Sequence, residues 1–266
     1  MFVQRDLTGT VQTPEGNIHY VKRGNGYPLV MLHPLGTSTW AWSTVIDGLS
    51  QQYTCYAFDM LGHGESDKPS RHFNIPDYAN ALDHACQILN IHRGHYVGNS
   101  VGAVLATEMA ASFPERMDKL VLVGCPVSDC RTAPQRLQNS AHNYDENGLP
   151  KPRTFEETKA TGTSFTNPKP EWIEAMNWTR AQAGVWVKNL MEALSYYDIM
   201  SRLPQVKAQA TMVMYGEHDP LRVYEELLHN NIAKATKVVL PGLGHIPQIE
   251  DPEAFIGALL PFLQGD

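Results

Sequence analysis

The sequence has few cysteines, no long apolar run and no basic run, and each of these absences argues against a class of protein. It contains 4 cysteines in 266 residues, and none of these has the spacing of metal ligands: Cys55, Cys86, Cys125 and Cys130. No apolar run approaches the ~20 residues needed to span a bilayer. The net charge is −7 and the sequence has no basic run, so neither nucleic acid nor an anionic membrane is an expected partner.

The first residues and the cysteines bear on the cellular compartment. Residues 1–6 lack the apolar core of a signal peptide, so we expect a cytoplasmic protein. Thiols stay reduced in that compartment. Cys55 and Cys125 fall within strand-like runs and Cys86 falls on a helical pattern, so we predict buried free thiols.

Alternating strand and helix patterns predict the fold class. After an opening hairpin over residues 8–23, strand-like apolar runs occur at 28–32, 53–59, 119–124, 210–215 and 237–240, with a further one just before Ser100. Helical patterns lie between them, over 40–49, 76–90, the residues after Ser100, 223–228 and the stretch from Pro252. This alternation predicts an α/β protein with a mostly parallel sheet and helices on both faces.

One long segment departs from that rhythm. Residues 128–205 contain helical patterns and no clear strand, so we interpret them as an inserted helical cap. The remaining residues, 1–127 and 206–266, would then form the core domain. Three of the five tryptophans lie in the cap: Trp172, Trp178 and Trp186. Most such side chains pack within a helical layer, but we expect a few to line the pocket, since pockets are mainly apolar.

The chain has a motif for nucleophilic catalysis at Gly98-Asn99-Ser100-Val101-Gly102. A serine at a sharp strand-to-helix turn is strained, and its flanking residues must be small. Its Oγ is then exposed at the edge of the sheet. The N–H of Val101, at the start of the helix, is placed to donate to a developing oxyanion.

A serine hydroxyl needs a base, and the base needs an orienting acid. His245 follows the last predicted strand in a glycine-rich loop, and Asp219 follows the strand before it. Both positions lie at carboxyl ends of strands, where sites on such sheets form. The order Ser100, Asp219, His245 is the one expected for a hydrolase built on this turn. Glu217, two residues nearer the strand, is the alternative acid.

The loop after residues 28–32 should supply the second oxyanion donor. Pro34 has no N–H, so Leu35 is the candidate. His33 is expected to support this loop, with substrate contact as the alternative. Ile246, next to His245, is a further candidate contact with substrate.

Five pieces of the chain resemble the α/β-hydrolase superfamily: His33-Pro34-Leu35-Gly36, Asp59-Met60-Leu61-Gly62-His63-Gly64-Glu65-Ser66, Gly98-Asn99-Ser100-Val101-Gly102, Gly216-Glu217-His218-Asp219 and Gly244-His245-Ile246-Pro247. The resemblance extends over nearly the whole chain. It implies the α/β-hydrolase fold with a cap and a catalytic triad. The chain departs from the family at Pro34, where glycine is common.

The resemblance implies a serine hydrolase of small, fairly apolar esters or lactones that needs no metal or organic cofactor. The run from Leu35 to Thr37, followed by Trp40, is similar to enol-lactone hydrolases. Asn99 is similar to hydrolases that cleave carbon–carbon bonds in ring-fission diketones. A small-molecule receptor of the same fold is a third possibility, because such receptors keep the triad. Oligomeric state is not readable from the sequence.

Overall fold

The computed structural model describes residues 7–162 and 164–265. Eight strands, β1 to β8, have the bounds Leu7–Thr13, Gly16–Arg23, Tyr27–Leu32, Tyr53–Phe58, Gly94–Asn99, Met117–Val123, Ala210–Gly216 and Ala235–Leu240. They form one sheet in the order β1-β2-β4-β3-β5-β6-β7-β8. Strands β3 to β8 pair in parallel, whereas β1 pairs antiparallel with β2 and β2 with β4. The predicted hairpin and the mostly parallel sheet are confirmed.

The helices of the described residues, α1 to α10, have the bounds Ile46–Leu49, Ile75–Ile88, Val101–Ser112, Ala133–Ser140, Phe155–Thr161, Pro170–Ala183, Trp186–Tyr196, Glu225–Asn231, Pro247–Glu250 and Pro252–Gln264. Helices α2, α3 and α8 contribute to the apolar cluster on one face of the sheet, and α1 and α10 to that on the other. Helices therefore cover both faces, as the alternating pattern predicts.

Strand β3 illustrates why the sheet is buried on both faces. Val30 and Leu32 join the apolar cluster with α2 and α3, while Leu29 and Met31 join the cluster with α1 and α10. Successive side chains of a strand point to opposite faces, so a continuous apolar run fits a strand with helices on either side. The same alternation places the residues that follow each strand at one edge of the sheet.

One predicted helix is interrupted. Residues 40–49 form a short 3₁₀ helix, Thr39–Trp42, and then the single turn of α1. The β-branched Thr44 and the glycine at position 48 weaken a continuous helix. The Oγ1 of Thr44 instead donates to the carbonyl of Gln248 and ties this segment to α9.

Helix α10 begins as its sequence predicts. Asp251 is the N-cap and accepts a hydrogen bond from the N–H of Ala254, while Pro252 occupies the first helical position. At the other end, Lys119 on β6 donates through Nζ to the carbonyls of Phe262, Leu263 and Gly265. These carbonyls lack partners within the helix, so the buried lysine closes the C-terminus of α10 against the sheet.

The chain between β6 and β7 carries helices α4 to α7. Among the described residues 128–162 and 164–205, the only strand-like pairing is an isolated bridge between Tyr144 and Pro150. We retain 128–205 as the proposed cap and the rest as the proposed core domain. The end of the cap is anchored to α3, because Glu108 accepts hydrogen bonds from Tyr197 and Arg202.

The cysteines are free thiols, and three of them are buried as predicted. Cys130 is exposed, so the prediction was wrong there. It lies at the start of a 3₁₀ turn in the cap, outside both faces of the sheet. Cys125 lies two residues beyond β6 rather than within it. Burial raises the pKa of Cys55 and of Cys86 to about 12, which disfavours the reactive thiolate.

Candidate active site

Ser100 occupies the turn between β5 and α3 with φ 57° and ψ −120°, an uncommon conformation for a residue with a side chain. Its N–H donates to the carbonyl of Val123 on the neighbouring strand. A Cβ on Gly98 would lie 2.2 Å from the carbonyl oxygen of Gly102. A Cβ on Gly102 would lie 2.2 Å from the carbonyl oxygen of Leu32. Both flanking glycines are therefore required by close backbone contacts.

His245 and Asp219 form a hydrogen-bonded pair. The Nδ1 of His245 lies 2.9 Å from Oδ2 of Asp219, whose side chain is 1% exposed. The other oxygen, Oδ1, accepts from the N–H of Leu221 at 2.8 Å. The carboxylate is thereby fixed in orientation. Such a partner holds an imidazole in one tautomer, with Nε2 left to accept a proton.

Glycine at the end of β6 makes room for this pair. Gly124 has φ 54°, and a Cβ there would lie 2.7 Å from Nδ1 of His245 and 2.8 Å from Oδ2 of Asp219. Gly124 directly follows Val123, which holds the backbone of Ser100. The end of β6 therefore contacts both the serine turn and the histidine–aspartate pair. The sequence shows this glycine but not what it contacts.

The alternative acid, Glu217, is engaged elsewhere. Its Oε2 accepts from the N–H of Gly242 at 2.8 Å, and its side chain is 49% exposed. Glu217 therefore supports the loop that leads to His245 without contacting the imidazole, which bonds Asp219. His218 is exposed in the same loop.

The two candidate oxyanion donors lie at adjoining places. Val101 is the first residue of α3, and Leu35 is in the loop after β3. The close approach of Gly102 to Leu32 brings these two segments together. Within the described ranges, neither N–H donates to a backbone or side-chain acceptor. We therefore retain both as the proposed oxyanion donors.

His33 supports the loop after β3, and its alternative role in substrate contact stays a prediction. The residue is fully buried. Its Nε2 accepts from the N–H of Met60, and its Nδ1 lies 2.8 Å from the carbonyl of Pro34. Burial lowers the pKa of His33, so the neutral ring fits this arrangement. The ring thereby joins the loops that follow β3 and β4.

Asp59 organises the loop after β4. Its carboxylate accepts hydrogen bonds from the N–H groups of Thr39 and Glu65 and pairs with Nδ1 of His19. Burial opposes ionisation of Asp59, but these hydrogen bonds outweigh it and lower its pKa. The same pair raises the pKa of His19. Asp59 is a structural residue beside the site.

Asn99 is a buried residue whose role the sequence does not reveal. Its Nδ2 donates to the carbonyls of Val123 and His245, each at 3.1 Å. Its Oδ1 accepts from Nε2 of Gln248 at 3.1 Å. Asn99 directly precedes Ser100, so its side chain links the serine turn to the backbone of His245.

Glu250, which is partly buried, also has a role that the sequence does not reveal, because it connects the core to the cap. One carboxylate oxygen accepts from the N–H of Gly244, beside His245. The other accepts from the N–H groups of Thr166 and Asn167 in the cap. The cap and the histidine loop are thus held by one side chain.

The predicted aromatic contacts differ in position. Trp172 packs with Phe165, at 5.0 Å between ring centroids, in the cluster that contains Ile246. Trp186 covers the turn at Gly62, where a Cβ would lie 2.8 Å from the Cβ of Trp186. Trp178 is 63% exposed on α6, and its contact with substrate stays a prediction.

Two further results concern metals and membranes. Over residues 7–162 and 164–265, no group of three or more His, Cys, Asp or Glu side chains could hold a metal ion. In the same ranges, no helix has both the length and the apolar character to cross a membrane.

The family model for the alpha/beta hydrolase fold matches residues 27–252, and the chain belongs to this family. One relative is the pimeloyl-[acyl-carrier protein] methyl ester esterase of Pectobacterium carotovorum, 27% identical over 89% of this chain and 94% of the relative. Another is 3-oxoadipate enol-lactonase 2 of Acinetobacter baylyi, 26% identical over 85% of both chains. Both matches extend over most of this chain and of the relative.

Two other comparisons differ in what they cover. An uncharacterized protein of Mycobacterium tuberculosis is 37% identical over 100 residues, but the match spans only 38% of this chain and 29% of that protein. The structure of the enol-lactonase from Burkholderia xenovorans superposes with a TM-score of 0.80 over 97% of this chain and 100% of that one, at 21% identity. This likeness concerns the fold.

Proposed function

We propose that the protein is a serine hydrolase of small carboxylic esters or lactones. The observation that carries this proposal is the hydrogen-bonded pair of His245 and Asp219, joined through Asn99 and Gly124 to the strained turn at Ser100. A nucleophile, a base and an orienting acid are the parts that acyl transfer requires. The activities for which the esterase and lactonase relatives are named agree with this chemistry.

In the proposed reaction, neutral His245 takes the proton of Ser100 as Oγ attacks the carbonyl carbon. The N–H groups of Leu35 and Val101 hold the resulting oxyanion. The imidazolium, stabilised by Asp219, then protonates the leaving oxygen as the C–O bond breaks. Water, deprotonated by His245, hydrolyses the acyl-enzyme and restores the serine.

Carbon–carbon bond cleavage receives less support. The feature that suggested it was Asn99, next to the nucleophile. The structure gives this residue a different reason to be there, since its amide holds two backbone carbonyls and Gln248. A buried structural amide does not favour one substrate class over another.

The test is a substrate panel with the nucleophile variant as control. Short esters, lactones and ring-fission diketones would be compared under multiple turnover. We expect turnover of an ester or lactone, a fall of at least about 10⁴-fold in kcat for Ser100→Ala, and labelling of Ser100 by a phosphonate probe. Turnover of diketones alone would favour carbon–carbon cleavage. A single slow turnover with a large ligand-induced stability change would favour a receptor.

A further inference from the structure

Among the described residues of the proposed cap, two arginine side chains have neither a hydrogen bond nor a carboxylate partner. Arg180, on α6, is 7% exposed, and its Nε is buried without a hydrogen bond. Burial lowers the pKa of Arg180 to about 10, and the charge of Arg153, which lies just before α5, adds to this effect. Across residues 7–162 and 164–265, neither guanidinium has a hydrogen bond or lies within ion-pair distance of a carboxylate.

Other arginines of the chain show how unusual this is. Arg116 pairs with Asp83, and Arg202 pairs with Glu108, in both cases with the carboxylate buried. Even on the surface of the cap, Arg131 forms a pair with Asp129. The cation at Arg180 is thus buried without the partner that other arginines of the chain have.

Nearby carboxylates do not fill this role. The charge of Glu157 raises the pKa of Arg153. However, Oε2 of Glu157 accepts hydrogen bonds from both the N–H and the hydroxyl of Thr154, the N-cap residue of α5. Glu192 acts on Tyr144, which lies beside both arginines. The guanidinium groups therefore keep their positive charge without a neutralising contact.

A buried, unpaired cation is costly, and such charges concentrate at functional sites, where a ligand supplies the opposite charge. The planar guanidinium fork matches a carboxylate through two parallel hydrogen bonds. Burial strengthens this interaction, because solvent screens it less. The missing partner of Arg180 is thus best supplied by an anionic ligand.

The position of Arg180 connects it to the proposed catalytic loop. Its Cγ lies 3.0 Å, and its Nη1 3.5 Å, from the place that a Cβ on Gly36 would occupy. Gly36 directly follows Leu35, the candidate oxyanion donor. The hydroxyl of Thr179, the residue before Arg180, donates to the carbonyl of Gly36 at 2.9 Å. Helix α6 is therefore docked on the loop that would hold the oxyanion.

We propose that Arg180, assisted by Arg153, binds a carboxylate of the substrate. The natural ester or lactone would then carry an anionic group a few carbon atoms from the carbonyl that Ser100 attacks. This inference rests on the proposed function and specifies its substrate class. The apolar cluster around Trp172 and Ile246 would contact the remaining, uncharged part of the substrate.

The kinetic test compares charged and neutral esters of equal length. Monomethyl glutarate places the carboxylate on the acyl side, 3-acetoxypropanoate places it on the alcohol side, and methyl pentanoate and propyl acetate are the neutral counterparts. We expect the wild-type protein to prefer one charged ester, which also identifies the side. Arg180→Met should lower the ratio of charged to neutral kcat/KM by about 10- to 100-fold. Arg153→Gln should lower it less, and the surface control Arg131→Gln should not change it.

A binding test separates this inference from the proposed function. Glutarate binding to the Ser100→Ala protein would be measured by calorimetry and by the shift in Tm. We expect binding that Arg180→Met weakens by about 10-fold or more, together with a higher Tm for that variant without ligand, because an uncompensated buried charge is removed. Absence of glutarate binding in the parent would overturn the inference whatever the turnover results. An Arg180→Met protein that keeps the glutarate shift, or has a lower Tm with the kinetic ratio unchanged, would assign Arg180 a structural role and also overturn it.

Discussion

Buried charges differ between two regions of the molecule: the cap, and the loops at the carboxyl edge of the sheet. In the loops, Asp59 has three hydrogen-bond donors, and Asp219 has His245 and a backbone N–H. In the cap, Arg180 is buried without a carboxylate among the described residues. Hydrogen-bonded carboxylates are held in one geometry, whereas a buried charge without hydrogen bonds can bind a ligand of opposite charge. This difference agrees with the proposed roles, in which the loops position the catalytic groups and the cap binds the substrate.

The largest expected effect concerns the two carboxylates of one loop. Asp219→Asn should lower kcat by about 10⁴-fold, because the imidazole would be held in the wrong tautomer. Glu217→Gln is the matched variant, since its side chain contacts Gly242 rather than His245. It should lower kcat far less. Steady-state kinetics on one ester decide the matter, and the reverse ranking would move the orienting role to Glu217.

A backbone change tests the loop after β3. Replacing Leu35 by its α-hydroxy acid removes the N–H and retains the side chain. Loss of one oxyanion donor should lower kcat by about 10²–10³-fold with KM mostly retained. Leu35→Ala keeps the N–H and should reduce kcat only modestly. If the ester-backbone protein turns over like its parent, the second donor lies elsewhere in the loop.

An amide in each region allows a direct comparison. Asn99→Asp removes the donor to the carbonyl of His245 and should lower kcat by about 10²-fold through misplacement of the imidazole. In the cap, the Nδ2 of Asn177 donates to the carbonyl of Arg153. Asn177→Asp should chiefly lower the preference for charged esters. The kinetics of both variants would be measured on charged and neutral esters. If each variant changed kcat and the preference for charged esters alike, the two regions would not have separate roles.

The smallest expected effect is on stability and distinguishes two histidines of the core. Burial lowers the pKa of His63 to about 3, and the pair with Asp59 raises that of His19. Below pH ~6.5, His63 binds a proton in the unfolded chain but not in the folded protein. The free energy of unfolding therefore decreases as the pH falls, by about 2 kcal/mol at pH 5. The contribution of His19 has the opposite sign: it is fully present below its unfolded pKa and is lost as the pH rises through the raised pKa.

Urea unfolding from pH 5 to 9 measures both effects. The difference in unfolding free energy between wild type and His63→Asn should move against the wild type as the pH falls. The difference between wild type and His19→Asn should move against the wild type as the pH rises. Parallel trends would show that the two rings do not differ in their protonation.

Much of the core could be predicted because its patterns are local. The alternating burial of Leu29 to Leu32 follows from a period of two, and the start of α10 follows from Asp251 and Pro252. The interrupted helix at 40–49 could not be predicted, because the contact of Thr44 with Gln248 is distant in sequence. The exposure of Cys130 likewise depends on how the cap packs.

The sequence by itself determined the strands, the glycine-flanked serine and the order of Ser100, Asp219 and His245, since each depends on residue type and spacing along the chain. Only the tertiary structure decided that Asp219 rather than Glu217 contacts His245. It alone decided that Asn99 and Glu250 hold the histidine loop, and that Arg180 is buried beside Gly36. The physical reason is that hydrogen bonding and desolvation depend on which distant segments meet, and spacing along the chain carries no record of that.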